Sequence, residues 1–400
     1  MSRSVTIVGG GFGGVKAALE LAKDPKVHVT LISNREDFQY YPTVYSSATG
    51  YSYLESWMPL GDIFGRHENV HVYIDEIVSM DAKKKQLKGK AGAIYDYEKC
   101  IIAIGVVTSY FNIPGLETYA YGIKSAEEIR KLKHRIFVDV SEHGKLDKNY
   151  VIIGAGPTGV ELSASLGTYL RRIAKHYHVK HTGVKIRLIE ASPRILPRSS
   201  ERTSKVVTKR LRKLGVIVQT NRRVERSNAK EVVINGRAIE SHTVIWTSGV
   251  TNHPFFAQHP EIFELNERDR VKVDEYLRVQ KDIYVIGDNA ATPYSGLAQT
   301  ALRDGISVAR NIKREYAKQT LKPYKPFLPI TAVPVGRRWA AVEWKNLGIY
   351  GFVGGVLRRL ADLLGYVEVL SLRTAWTAWR SANVYENDYF TPSGRVRTKR

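Results

Sequence analysis

Two glycine runs in the sequence have the spacing that binds phosphate. Gly9, Gly11 and Gly14 lie in VTIVGGGFGG, with Phe12 and Gly13 between them; Gly154, Gly156 and Gly159 lie in VIIGAGPTGVE, around Pro157 and Thr158. G-x-G-x-x-G lets a strand turn tightly into a helix whose free N–H groups face a phosphate. Glu190 closes the strand after the second turn, where a carboxylate accepts from a ribose 2′-hydroxyl and repels a 2′-phosphate, favouring NADH over NADPH. Arg194 and Arg198 follow it closely and work against that discrimination. The matching strand of the first turn ends instead in Ser33, followed by Asn34, Arg35 and Glu36. A hydroxyl or amide bonds a ribose more weakly than a carboxylate does. Glu161, two residues past the third glycine of the second turn, is at least a favourable charge in a first helical turn. Asp288, after the apolar run of KDIYVIGDNAA, suits a ribityl hydroxyl or a phosphate-bound water.

The elements that must hold these residues are duplicated. The first half runs glycine turn, helix, strand (VHVTLIS), polar hairpin and the strand KCIIAIG. The second runs glycine turn, helix, strand (VKIRLIE), a hairpin turning at Asn235-Gly236 and the strand HTVIWTSG. Gly9 to Gly105 spans 96 residues and Gly154 to Gly249 spans 95. Each half therefore reads as a parallel βαβ unit with a β-meander and a closing strand. The strand before Asp288 rejoins the first unit. The expected fold is α/β, with two Rossmann-like dinucleotide-binding domains, the second inserted in the first, and a C-terminal amphipathic region. The expected boundaries are 1–118 and 250–322 for the first domain, 119–249 for the second, and 323–400 for the C-terminal region.

Four hundred residues exceed one core, and 43% hydrophobic with 25% charged residues is ordinary for a globular protein. Cys100 is the only cysteine. An internal disulfide is excluded, and with it a paired-thiol redox centre, so electrons must leave a bound cofactor directly. The net charge of +22 suits an anionic surface; no nucleic-acid module accompanies it. No targeting segment is expected, since the first apolar run carries a glycine turn rather than a cleavage site. The eleven histidines show no ligand spacing, His176, His178 and His181 falling on a basic segment, so no metal is expected.

Four prolines in 322–334 mark a linker. Beyond it, no stretch is long and apolar enough to span a bilayer. From Val356 the pattern is helical: Val356, Leu360, Leu363, Leu364 and Val367 share one face, opposed by Arg358 and Asp362. Leu372, Trp376 and Trp379 follow at i, i+4, i+7 with Arg373 and Arg380 beside them. Residues 321–400 hold 13 Lys/Arg against five Asp/Glu. Such a face either packs on the protein's own core or lies on an anionic leaflet. The last 15 residues read as frayed and basic.

With VTIVGGGFGG, YPTVYSSATG, IIAIG before IPGLE, IIGAGPTGVE, LIEASPRILP, VIWTSGV, YVIGDNAA and LAQTA in order, the chain resembles the type II (alternative) NADH:quinone oxidoreductases. The first two motifs and Gly-Asp are shared with pyridine-nucleotide disulfide reductases and ferredoxin reductases; VIWTSGV, LAQTA and the tail carry the narrower likeness. The resemblance implies non-covalent FAD at Gly9, Gly11, Phe12, Gly13, Gly14, Ser33, Asn34, Arg35, Ile77, Gly105, Asp288, Ala298 and Gln299. It implies NADH at Gly154, Gly156, Pro157, Thr158, Gly159, Glu161, Glu190 and Gly249. It also makes Glu161 a proton-handling group and places Gln299 beside the acceptor. The family pattern A-Q-x-A-x-Q ends here in Arg303, a cation where a neutral amide would meet the acceptor carbonyl. The activity implied is NADH oxidation with two-electron reduction of a membrane quinone, without proton pumping. The implied setting is a peripheral enzyme on the cytoplasmic face of the cell membrane, its partners a quinone and an anionic membrane surface, with a homodimer allowed. An alternative is a soluble NAD(P)H-dependent reductase of a small electron carrier of the ferredoxin or rubredoxin type. A third is a redox-sensing protein that uses the two nucleotides as a signal.

Overall fold

The computed structural model describes residues 3–345 and 347–386; the basic C-terminal end read from the sequence lies outside them. Apolar runs that follow one another without polar alternation form central parallel strands, since both faces of such a sheet are covered. The first sheet runs in the order Arg278–Gln280, Ile283–Val285, Lys99–Ile102, Arg3–Val8, Val27–Ser33, Val70–Ile74. All but its first strand are parallel. The strand before Asp288 does rejoin this sheet, Ile283 pairing with Cys100. The second sheet, wholly parallel, runs Ala120–Tyr121, Thr243–Trp246, Asn149–Ile153, Lys185–Ile189, Val216–Gln219.

Each unit carries its three-stranded meander. That of the second turns at Asn235 and Gly236, both with positive φ, as an Asn-Gly hairpin requires. An antiparallel ribbon, Val106–Thr108 against Val250–Asn252, joins the units where the chain leaves and re-enters the first. Helices Phe12–Ala22 and Ala298–Tyr316 pack closely beneath the first sheet; at Gly305 an added Cβ would lie 2.5 Å from the Gly13 carbonyl oxygen.

The C-terminal region is a three-stranded antiparallel sheet (Thr331–Pro334, Ala340–Trp344, Leu347–Gly351) followed by helices Phe352–Val367 and Leu372–Ser381. The first of these helices begins four residues earlier than its Val356 periodicity suggests, because the apolar run before it divides between an edge strand and the first helical turn. The helix lies against the segment 40–55: the Tyr366 ring packs on Tyr40 at a 32° tilt with centroids 4.2 Å apart, and a Cβ on Gly365 would come within 2.2 Å of the Tyr40 hydroxyl. The absence of a side chain at Gly365 lets helix and segment touch.

Candidate active site

The two glycine turns have the same construction. A Cβ on Gly9 would sit 2.2 Å from the Ala103 carbonyl oxygen and one on Gly14 1.9 Å from that of Gly9. In the second turn, a Cβ on Gly154 would sit 1.9 Å from Ser248 Oγ and one on Gly159 1.9 Å from the Gly154 carbonyl oxygen. The outer glycines thus let strand and helix meet. The middle ones differ: nothing lies within 4 Å of a Cβ on Gly11 or Gly156. Gly11 and Gly156 are the N-caps of helices Phe12–Ala22 and Pro157–His176, and neither helix has a side-chain cap. Each turn therefore offers open space in front of unsatisfied N–H groups, which fits a pyrophosphate.

The strand ends set the two cradles apart. Ser33 is 3% exposed, and its hydroxyl donates to the Arg35 carbonyl at 2.7 Å while accepting from the Arg35 amide. It is a turn residue with its bonds made locally. Asn34 and Arg35 are exposed, and Arg35 donates to Gln39. Glu190 accepts from the Ala155 amide through one oxygen and the Ser192 amide through the other, both at 2.8 Å, which aims the carboxylate at the mouth of the second cradle. Arg194 is bound to the carbonyls of Leu196, Pro197 and Ser199 and so is held away from Glu190. Arg198 lies nearer the other cradle, its Nη1 3.5 Å from a Cβ on Gly296. Ile77 packs with Val8, Ile32 and Cys100 in the core on the face of the first sheet opposite helices Phe12–Ala22 and Ala298–Tyr316.

Around the Gly-Asp turn, Asp288 has neighbours to which the sequence pattern did not point. Asp288 Oδ1 accepts from the Gly296 amide; burial raises its pKa, and Arg270, Gly296 and Arg198 oppose the rise. Asn289, fully buried, donates to the Gly105 carbonyl and accepts from the Gly105 amide, so it welds the returning strand to the closing strand of the first half. Asp304 accepts from the Gly287 amide, and burial pushes its carboxyl up to about 6. Ala298 opens helix Ala298–Tyr316.

Gln299 and Arg303 share one face of that helix, as their spacing implies, yet both hold the proline linker. The Gln299 amide is bonded twice to the Ile330 backbone, and Arg303 lies over the Phe327 ring at 5.1 Å. Gly249 closes against the first domain, where a Cβ would lie 2.4 Å from the Ser109 carbonyl oxygen.

Glu161 is 8% exposed, and burial pushes its carboxyl up to about 8 against the pull of Arg358; Asp362 adds to the rise. It belongs to a buried polar group that the sequence does not announce. Arg358 donates to Asp362 and to the Pro42 carbonyl. Glu55, 1% exposed, is also pushed up to about 8, by burial first, with a Ser46 hydrogen bond working the other way. Tyr45 faces the same charges. All of these but Glu161 line a cleft of about 730 Å³, with Trp339 and Trp379 among others, between the 43–55 segment and the C-terminal region. Neither Gln299 nor Arg303 lines it. Arg358 and Asp362 were readable as the polar face of a helix, but nothing in the spacing said that this face turns inward.

It does turn inward. Arg358 and Asp362 are 8% and 4% exposed, whereas Phe352, Val353, Val356, Leu360, Leu364 and Val367 on the other side are 40–68% exposed. Leu372 and Trp376 continue the exposed apolar surface at 75% and 49%. No helix among the described residues is long and apolar enough to cross a membrane.

A family model described as pyridine nucleotide-disulphide oxidoreductase matches residues 3–305. Similar curated proteins include the type II NADH:quinone oxidoreductase NdhA of Mycobacterium tuberculosis, 28% identical over 93% of this chain and 86% of its own length. The type II NADH:quinone oxidoreductase of Staphylococcus saprophyticus is 29% identical over 78% of this chain and 82% of its own. Among solved structures, NDH2 from Plasmodium falciparum in complex with NADH superposes with a TM-score of 0.86 at 18% identity, covering 98% of this chain and all of that one. At that identity the likeness is one of fold.

Proposed function

The chain belongs to the pyridine nucleotide-disulphide oxidoreductase family, and from that premise we propose that it is a type II NADH:quinone oxidoreductase, oxidising NADH and reducing a membrane quinone by two electrons without pumping protons. Its single, buried Cys100 removes the paired-thiol route that the family name refers to. Bound FAD would supply the chemistry that accepts hydride and returns electrons in pairs.

The chain's own residues divide the work. Gly9, Gly11 and Gly14 would receive the FAD pyrophosphate, with Asp288 and Gly105 towards the rest of the cofactor and Asn289 and Asp304 holding that turn in shape. Gly154, Gly156, Gly159 and Glu190 would receive NADH, Glu190 taking a ribose hydroxyl and disfavouring a 2′-phosphate. Glu161, kept largely protonated at neutral pH by burial, holds a proton between this cradle and the cleft. The cleft behind the C-terminal helix suits the acceptor, because it is large enough for a quinone ring and joins the apolar outer surface through Phe352, Val356 and Leu360.

The single observation that carries the quinone reading is the orientation of helix Phe352–Val367. A soluble reductase would bury the apolar face and expose Arg358 and Asp362; here the arrangement is reversed. An apolar surface open to the outside beside an acceptor-sized cleft is what a peripheral enzyme on a membrane needs. The net charge of +22 favours an anionic leaflet, and the cytoplasmic side accords with the unpaired cysteine. The test is to purify the protein, record its flavin spectrum and assay NADH oxidation with a short-chain quinone and with an acidic carrier protein. A flavin-containing protein that reduces the carrier and ignores the quinone would replace this reading with the soluble reductase.

A further inference from the structure

Two buried side-chain atoms on the cleft lining lack a hydrogen-bond partner, Arg358 Nε and Glu55 Oε1, and they are the only such pair there among the described residues. Leaving a buried polar atom unsatisfied costs about 1–3 kcal/mol, more for a charged group, and folded proteins keep few of them. The rest of each residue is firmly held. Arg358 spends Nη1 on Asp362 and Nη2 on the Pro42 carbonyl at 2.8 Å, so its planar fork is fixed and Nε–H is left without a partner in the cleft wall. The Glu55 backbone carbonyl accepts from Tyr366 Oη at 2.6 Å and from Thr43 Oγ1 at 2.8 Å, which pins the turn that carries its carboxyl. One orphan can only donate. The other, as a carboxylic acid, can give a proton.

A buried arginine–aspartate pair is a poor choice for packing alone, since two apolar residues of like size would fill the space at less desolvation cost. Helix Phe352–Val367 nevertheless turns this pair inward and leaves its apolar residues outside. We propose that Arg358 and Glu55 form the head-group subsite of the cleft, Arg358 Nε–H donating to a quinone carbonyl oxygen and the Glu55 carboxyl giving the proton that completes the quinol. This rests on the reading of the cleft as the acceptor site. The balance is NADH plus one proton plus quinone to NAD⁺ plus quinol. The hydride leaving NADH carries both electrons and one hydrogen; the second comes from the Glu55 O–H bond, which breaks as the quinol O–H bond forms. Glu55 is then reprotonated from water at the mouth of the cleft. The charged and titratable groups facing Glu55 are Tyr45 from its own side and Arg358, Arg359, Asp362 and Tyr366 from the C-terminal helix.

Trp339 and Trp379 also line the cleft, so binding is readable without turnover. The flavin-loaded full chain is titrated with a water-soluble benzoquinone, and quenching of tryptophan fluorescence gives Kd. Two variants remove the donor differently: Arg358→Lys keeps a charge beside Asp362, and Arg358→Met with Asp362→Leu leaves no orphaned ion. Both should raise Kd about tenfold or more, the worth of a hydrogen bond from a charged group. Glu55→Gln should keep Kd within about twofold while lowering the rate of quinone reduction. In the wild type that rate should fall as pH rises through about 8, where Glu55 loses its proton; in Glu55→Gln the fall should vanish, and Glu55→Asp should restore it. Unchanged Kd in both Arg358 variants, or the same pH profile in Glu55→Gln, would overturn the subsite while leaving the acceptor cleft standing. A wild type with no saturable quenching would overturn the cleft reading and the subsite together.

Discussion

Two residues past its third glycine the first cradle carries Lys16 and the second carries Glu161, and the C-terminal helix meets both. Lys16 Nζ donates to the carbonyl of Glu368, the C-cap of that helix, at 2.9 Å and pairs with the Glu368 carboxylate at 2.6 Å. A cation there also suits the negative end of the helix. Glu161, at the equivalent position, feels the charges of Arg358 and Asp362 in the middle of the same helix. One ancestral frame has thus yielded two anchors of opposite sign. The difference between them is chemical: Lys16 is paired with both the carbonyl and the carboxylate of Glu368 and acts as a clamp, while Glu161 is raised by burial, with Asp362 adding to the rise and Arg358 opposing it, and is left able to exchange a proton near neutral pH. Duplication supplied the position, and burial decided whether the ion there is structural or titratable.

The strongest way to break the comparison is to fill each open middle glycine. Gly11→Val should fold but lose flavin absorbance. Gly156→Val should keep the flavin spectrum and lose NADH affinity by at least about 100-fold, as expected from two charge-assisted hydrogen bonds of about 1.5–3 kcal/mol each. Loss of flavin in both variants would mean that the cradles are not independent. Next in size is the strand end: Glu190→Gln should narrow the preference for NADH over NADPH about tenfold in kcat/KM, because Arg194 is tied to three carbonyls and adds nothing for a 2′-phosphate.

The anchors themselves come third. Lys16→Met should lower the unfolding free energy by about 1–2 kcal/mol and speed proteolysis of the C-terminal helices, since Glu368 is half exposed and tolerates being unpaired. Glu161→Gln should act through pH instead. Its folded pKa is raised, to about 8, so its contribution to stability is fully present below the unfolded value near 4.5 and is lost as pH rises through 8. The variant should therefore flatten the decline of Tm between those values; a Tm profile parallel to that of the wild type would show that Glu161 is not buried in solution. The smallest effect expected is that of Arg303→Ala. With the guanidinium over Phe327, outside the cleft, the substitution should cost about 0.5–1 kcal/mol of stability and leave the acceptor Kd alone. A weakened acceptor would instead return Arg303 to the place its helix spacing implies.

Much of this molecule was legible in the chain. The glycine turns, the matched spacing from Gly9 to Gly105 and Gly154 to Gly249, and the Asn235-Gly236 hairpin are local patterns whose physics is complete within a few residues. The ends of strands were legible too, Glu190 most clearly. Gln299 and Arg303 mark the limit: their shared helix face followed from a four-residue spacing, but the linker that occupies that face lies further on, Ile330 31 residues past Gln299 and Phe327 24 past Arg303. Glu55 gave no signal, because an isolated glutamate in YSYLESW reads like any surface acid.

By itself the sequence determined the two cradles, the chemistry they offer and the amphipathicity of the tail, since each depends on residue type at short, fixed spacing. Which way the tail helix faces was decided only by the tertiary structure. Periodicity states that Arg358 and Asp362 oppose Val356 and Leu360, and is silent on which side meets water. That choice came from elements far apart in the chain: Tyr40 packing on Tyr366, Pro42 accepting from Arg358, and Lys16 holding Glu368. Together they turn the charges in and the apolar face out, leaving Glu55 on the cleft lining and Glu161 buried within reach of Arg358 and Asp362.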